Sequence, residues 1–234
     1  MRQVIRKKHA GTGHDTGSSP VTTRRSSLLP GSLAVSCVAV LCVVALSGCA
    51  ARAITISASY PTPLVAKLPL TVGVYYPEAL REFSYTEIDD SSGKDQYIIA
   101  SGASQIALFN TILPVMFDEV IELDGPSTDN PQVDAIFVPD VEEFQLGLPQ
   151  KTKLSVFEIW LKYNMRLTQP NGDYIADWVM TAYGKAPTAT FQSVDIGVQN
   201  AAEVAMRDVA ASFTLGFTEV PDIKDWLQKN GPTP

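Results

Sequence analysis

LSVFEIWLKYNMRLTQPNGDYIADWVMTAY, residues 154–183, is the stretch on which the fold turns. Phe157, Ile159, Leu161, Tyr163, Met165 and Leu167 alternate with Glu158, Trp160, Lys162, Asn164 and Arg166, the period of two that marks a strand with one buried face. Pro170-Asn171-Gly172 interrupts the pattern, and Asn-Gly favours a two-residue type I′ turn because both residues tolerate positive φ. A hairpin closed on Asn171 and Gly172 pairs residues whose numbers sum to 343. Its core face then sets Leu167 against Ala176, Met165 against Trp178, Tyr163 against Met180 and Leu161 against Ala182. Its outer face sets Arg166 against Asp177 and Trp160 against Tyr183. Apolar meets apolar and opposite charges meet, a match that a one-residue slip would destroy.

Working outward, residues 195–217 carry Val198, Ala202, Ala205, Val209 and Phe213 on one helical stripe, with Met206 and Phe217 beside it; the alanines allow close approach to a sheet. Pro221-Asp222 opens a short terminal helix bearing Ile223, Trp226 and Leu227. Toward the N-terminus, residues 134–138 read as a buried strand that continues past Pro139 to Phe144. Residues 101–120 switch to a helical period, with Ile106, Phe109, Leu113, Met116, Phe117 and Val120 on one face and Ser101 or Ser104 as N-cap. Pro114 has no N–H to bond back to Asn110, so this helix is expected to kink or end early. Residues 120–123 then read as a short strand and 124–132 as a loop. Residues 83–88 and 96–100 look like a second hairpin, with Asp89 and Asp90 in a solvated turn lacking the ligand spacing of a calcium loop. Leu70, Val72, Val74 and Tyr76 alternate as the first strand. The expected fold is α+β, a two-layer sandwich: a mixed, mostly antiparallel sheet with two helices on one face.

The N-terminal quarter reads differently. Residues 32–49, SLAVSCVAVLCVVALSGC, hold no charge and follow a basic leader, the pattern of a secretory signal rather than a spanning helix. Leu46-Ser47-Gly48-Cys49 resembles the lipobox of bacterial prolipoproteins, with small residues at the two positions before the cysteine. The resemblance implies cleavage between Gly48 and Cys49, and covalent lipid on the Cys49 thiol. It divides the chain into a signal peptide (1–48), a lipidated tether (49–69) and one domain (70–234). Thr23-Arg24-Arg25-Ser26-Ser27-Leu28-Leu29 loosely resembles a twin-arginine signal, although a basic leader for general secretion accounts for the same residues. With Pro61 and Pro63, the roughly 21 residues from Cys49 to Leu70 span at most ~70 Å when extended. Ala50, where an aspartate would favour retention in the inner membrane, implies by the same resemblance an outer-membrane, periplasm-facing destination.

Removing residues 1–48 takes away six of the 18 basic residues and one of the 25 acidic ones, leaving a net charge of about −12 over 186 residues. That balance disfavours nucleic acid, which needs a basic footprint. His9, His14, Cys37 and Cys42 all lie in the leader, so histidine-based triads, the usual zinc sets and an intrachain disulfide are excluded from the remainder. Glu142-Glu143 would suit acid–base work, but neighbours on a strand face opposite ways unless a bulge intervenes. No catalytic, metal or cofactor site is expected beyond the lipid on Cys49.

The order of elements over residues 70–217 resembles the amino-terminal domain of TolB and related periplasmic lipoproteins of curli secretion, polysaccharide secretion and peptidoglycan-synthase activation. It is also loosely similar to the lipoprotein that plugs the lipopolysaccharide translocon. These likenesses carry no residue roles beyond Cys49. They imply a binding and assembly accessory of an envelope complex, held to outer-membrane lipid by its acyl anchor and engaging an envelope protein. The expected partner surface is Trp160, Val179 and Tyr183 with Lys162 and Arg166 at its rim. The alternative is a periplasmic carrier of a small ligand or lipid, or a carboxylate-dependent enzyme. A cavity between helices and sheet would favour the carrier, and a filled core with exposed aromatics the assembly module.

Overall fold

A computed structural model describes residues 51–57, 63–90, 95–190 and 193–230. The leader, the lipobox with Gly48 and Cys49, and the tip of the 83–100 hairpin lie outside the described residues. The elements, in chain order, are β1 (Arg52–Thr55), β2 (Leu68–Val74), α1 (Glu78–Arg81), β3 (Ser84–Asp89), β4 (Asp95–Ala100), α2 (Gly102–Met116), β5 (Phe117–Glu122), β6 (Ala135–Gly147), α3 (Pro149–Thr152), β7 (Val156–Thr168), β8 (Tyr174–Pro187), α4 (Val194–Gly216) and α5 (Pro221–Asn230). The fold is α+β with two sheets. The larger has strand order β5-β2-β6-β7-β8, parallel on the β5-β2-β6 side and antiparallel from β6 to β8.

The β7–β8 register is the expected one: Trp160 pairs with Tyr183, Arg166 with Asp177 and Leu167 with Ala176. The turn that sets it is different. Among described residues Gly172 has φ +92° while Asn171 is not in the positive-φ region, which rules out type I′. Gly172 N–H donates to Gln169 O and Gln169 N–H to Asp173 O, both at 2.8 Å, so the loop has three residues, a turn followed by a left-handed glycine. Alone, that loop would give pairs summing to 342, as Thr168 and Tyr174 do. A register shift beyond Thr168 inserts Ile175 and restores 343 from Leu167 onward. The extra residue explains why Ile175 and Ala176 are both buried in succession.

Helices α2 and α4 cover one face of this sheet. Phe109 of α2 lies 5.5 Å from Phe137 of β6, 6.0 Å from Tyr163 of β7 and 6.0 Å from Phe213 of α4, centroid to centroid. Phe213 reaches Phe137 at 5.1 Å. The expected α4 stripe, Val198 through Phe213 with Met206 and Phe217, is buried throughout. Close approach needs more than the alanines: a Cβ on Gly184 would stand 2.0 Å from Ala201 O and 2.4 Å from Ala205 N, so only glycine lets α4 settle there. Helix α2 ends at Met116, two residues past Pro114 and short of the expected Val120. It buries Leu108 and Ile112 beyond the expected stripe, because it packs against α1 and α4 as well as the sheet.

Two further expectations need correction. The 83–100 hairpin does not join the large sheet; β3 and β4 form a second sheet of order β1-β4-β3. Its third strand comes from residues read as tether: Arg52–Thr55 runs parallel to Tyr97–Ala100, Ile56 N–H donates to Ala100 O at 2.9 Å, and Ile54 and Ile56 are buried. A four-residue strand flanked by small and polar residues carries too little periodicity to stand out. The second concerns Asp89, which is not in a solvated turn. It is fully buried and accepts a 2.8 Å bond from Gln150 Nε2 on α3, while the neighbouring Glu87 accepts from Lys151 Nζ and, at 2.6 Å, from Tyr85 hydroxyl. Burial and the bond to Glu87 push the Tyr85 pKa up to about 12. Helix α3 thus latches the small sheet to the end of β6.

Candidate functional site

The face of the large sheet opposite the helices is the surface the alternation of β7 predicts; Leu123 and Val133 cover it over Gly73 and the buried Ile136, and it is open at Trp160, Arg166 and Val179. Trp160 is 51% and Val179 55% exposed. Trp160 and Tyr183 meet with ring centroids 4.5 Å apart, and Tyr183 hydroxyl donates to Glu158 Oε1 at 2.6 Å. That bond, more than burial, pushes the tyrosine pKa up to about 12, since losing the proton would place phenolate beside carboxylate. The pair forms a tilted aromatic shelf held by Glu158, a partner that alternation did not single out for this purpose.

Around the shelf, charges are matched. Lys162 Nζ lies 2.7 Å from Glu142 Oε1, and Arg166 Nε 3.0 Å from Asp177 Oδ1. The structure therefore gathers all five expected partner-surface residues, Trp160, Val179, Tyr183, Lys162 and Arg166, on one exposed face. Glu142 and Glu143 also meet the condition set for them: a register shift between Val141 and Glu143 on β6 leaves both carboxylates exposed beside Lys162. Glu143 accepts from Gln145 Nε2. With Lys162 on one carboxylate and an amide on the other, the pair forms a rim of ion pairs and hydrogen bonds. Such exposed pairs contribute ~0–1 kcal/mol each, and they define the edge of the apolar patch more than they stabilise the fold.

Beyond Arg166 the face dips into an open cleft of about 520 Å³ between the hairpin turn and the 124–132 loop, lined by Ser127, Val138, Thr168 and Tyr174 among others. Thr128 N–H donates to Pro170 O at 2.8 Å and ties loop to turn. This contact between distant segments has no signature in the sequence. Among the described residues, no group of three histidine, cysteine or carboxylate side chains converges as a metal site. No helix among them is long and apolar enough to cross a membrane.

No known protein family and no curated protein matches this sequence. Solved structures resemble it at low identity. A DUF330-family protein of Xanthomonas campestris is 12% identical, with 76% of this chain and 99% of that one covered and a TM-score of 0.47. A neuraminyllactose-binding hemagglutinin homologue of Helicobacter pylori is 12% identical, covering 74% and 97%, with a TM-score of 0.42. A lipoprotein of Caulobacter crescentus is 17% identical, covering 57% and 87%, with a TM-score of 0.39. Bacterial lipoproteins are thus among the structural neighbours; at such distances side chains are not shared, and nothing about the site follows from them.

Proposed function

We propose that this chain is a lipid-anchored lipoprotein of the outer membrane, facing the periplasm, that serves as a non-enzymatic binding module of an envelope assembly through the outer face of its five-stranded sheet. The observation that carries the reading is the half-exposed Trp160–Tyr183 shelf with Val179, apolar at its centre and rimmed by Lys162–Glu142 and Arg166–Asp177. Buried aromatic anchors inside a polar rim are what protein interfaces use. The lipobox supplies the address, since two or three acyl chains anchor stably where one does not. The alternative of a carrier is disfavoured by the stacking of Phe109, Phe137, Tyr163 and Phe213 at 5.1–6.0 Å, which fills the space between helices and sheet that a lipid would need.

The experiment has two arms. Cys49→Ala is expected to lose fatty-acid label and to accumulate as uncut precursor, and equal labelling of the variant ends the lipoprotein reading. Trp160→Ala with Val179→Ser is expected to lose the envelope protein that co-purifies with the wild type from solubilised membranes, while the melting temperature shifts by only a few degrees. Retention of every partner moves the docking surface elsewhere.

A further inference from the structure

Among the described residues strand β8 is one of the two edges of the large sheet, and that edge is complementary to itself. Its register with β7 is regular from Ala176 to Pro187, so alternate residues turn their backbone groups away from β7. Two contacts show which ones: Asp177 N–H donates to Tyr174 hydroxyl at 3.2 Å, and Tyr183 N–H to Asp208 Oδ2 at 3.1 Å. The outward set is therefore Asp177, Val179, Thr181, Tyr183 and Lys185, all with side chains on the outer face.

We propose that β8 pairs antiparallel with β8 of a second copy of this chain about a two-fold axis at Thr181, joining two five-stranded sheets into one of ten. This register sets Asp177 opposite Lys185 of the second copy, Val179 opposite its Tyr183, and Thr181 opposite its Thr181. Opposite charges, a β-branched residue against an aromatic, and threonine against threonine are the favourable cross-strand pairs. An axis moved one residue either way sets Asp177 against Tyr183 or Pro187 and loses the charge match. A two-fold interface must be self-complementary in this sense.

The helix layer agrees. Val204, Asp208, Ala211 and Leu215 form one stripe of α4 at i, i+4, i+7 and i+11, and Asp208 shows that the stripe reaches the β8 edge. Val204 is 41% and Leu215 73% exposed, and a two-fold normal to the sheet brings the same stripe of the second copy alongside, with these two apolar residues toward its ends. On pairing, the Tyr183 N–H passes from the Asp208 carboxylate to the Val179 carbonyl of the second copy, and the Asp177 N–H from the Tyr174 hydroxyl to the Lys185 carbonyl of the second copy. The inference does not depend on the proposed function, although a joined sheet would carry two aromatic shelves on one continuous face.

Cysteine cross-linking of the full-length chain reads the register directly. Directly opposed, hydrogen-bonded residues of antiparallel strands stand about 5.5 Å apart at Cα, inside the range a disulfide spans. On mild oxidation Thr181→Cys is expected to give a disulfide dimer above the wild-type background. Val179→Cys alone should give none, because residue 179 faces 183, and Val179→Cys with Tyr183→Cys should restore the dimer. Adding Lys185→Glu to Thr181→Cys, which sets like charges opposite Asp177, is expected to reduce cross-linking several-fold. Thr181→Cys at the wild-type level, or Val179→Cys linking as well as Thr181→Cys, overturns the proposal. So does a Thr181→Cys adduct to a different protein in place of the dimer.

Discussion

The two faces of the large sheet are made from the same strands, residue by residue in alternation, and hold together in different ways. Beneath the helices, Phe109, Phe137, Trp178, Phe213 and Phe217 interlock, so each side chain there is a part with no replacement. On the far side, Trp160, Lys162 and Arg166 pair in twos with Tyr183, Glu142 and Asp177, and Val179 meets solvent. A residue's contribution is therefore set by which way the strand turns it more than by its type, and Trp160 and Trp178, eighteen positions apart on paired strands, are the cleanest contrast.

The largest expected effect breaks the packed side. Phe213→Ala removes a ring touching β6, β8 and α2, and a cost of about 3–5 kcal/mol in urea unfolding is expected; a value below ~1 kcal/mol would mean that the core relaxes freely and the two faces are alike. Gly184→Ala comes next. Its methyl would collide with Ala201 O, so α4 must lift from β8, at a cost of about 1–3 kcal/mol. Trp160→Ala should cost only ~0.2–1 kcal/mol, the value of a cross-strand pair, and a loss as large as that of Phe213→Ala would show that the outer face is also a core.

The smallest effect concerns proton linkage. The Tyr183 pKa is raised from 10.0 to about 12 by its bond to Glu158, so the folded state keeps a proton that the unfolded chain releases first. The stabilisation is complete below pH 10 and is lost as pH rises toward 12. Tyr183→Phe should make unfolding midpoints less sensitive to pH across that window. Tyr85, raised to the same range by burial on the other sheet, leaves a remnant of the slope in the variant. An unchanged slope would dissociate Tyr183 from Glu158.

The β7–β8 pairing was legible because eleven alternating residues and a charge match specify register independently of the turn. The turn itself was misread: Asn-Gly suggests two residues, Pro170 makes it three, and inserted Ile175 cancels the difference. Bulges of this kind shift no composition and leave little trace in a single sequence, which is also why Glu142 and Glu143 were expected on opposite faces. The placement of Trp160, Tyr183, Val179, Lys162 and Arg166 on one outer face was legible. The link to Glu158, the cleft against the 124–132 loop and the burial of Asp89 depend on contacts across many residues. Strand β1 was hidden for a different reason: its partner, β4, lies more than forty residues away, and four residues hold too little pattern to announce a parallel pairing.

That short strand changes the mechanics of the anchor proposed at Cys49. With the first ordered residue at Leu70, an extended leash of ~70 Å would let the domain sweep a hemisphere of that radius; with Arg52 already paired to Tyr97, three residues reach only ~10 Å. The accessible volume falls by a factor on the order of 10², and with it rises the effective concentration of the domain toward anything else bound at the same bilayer. Under the proposed anchoring the domain would work as a fixture close to its point of attachment, and not as a float on a line.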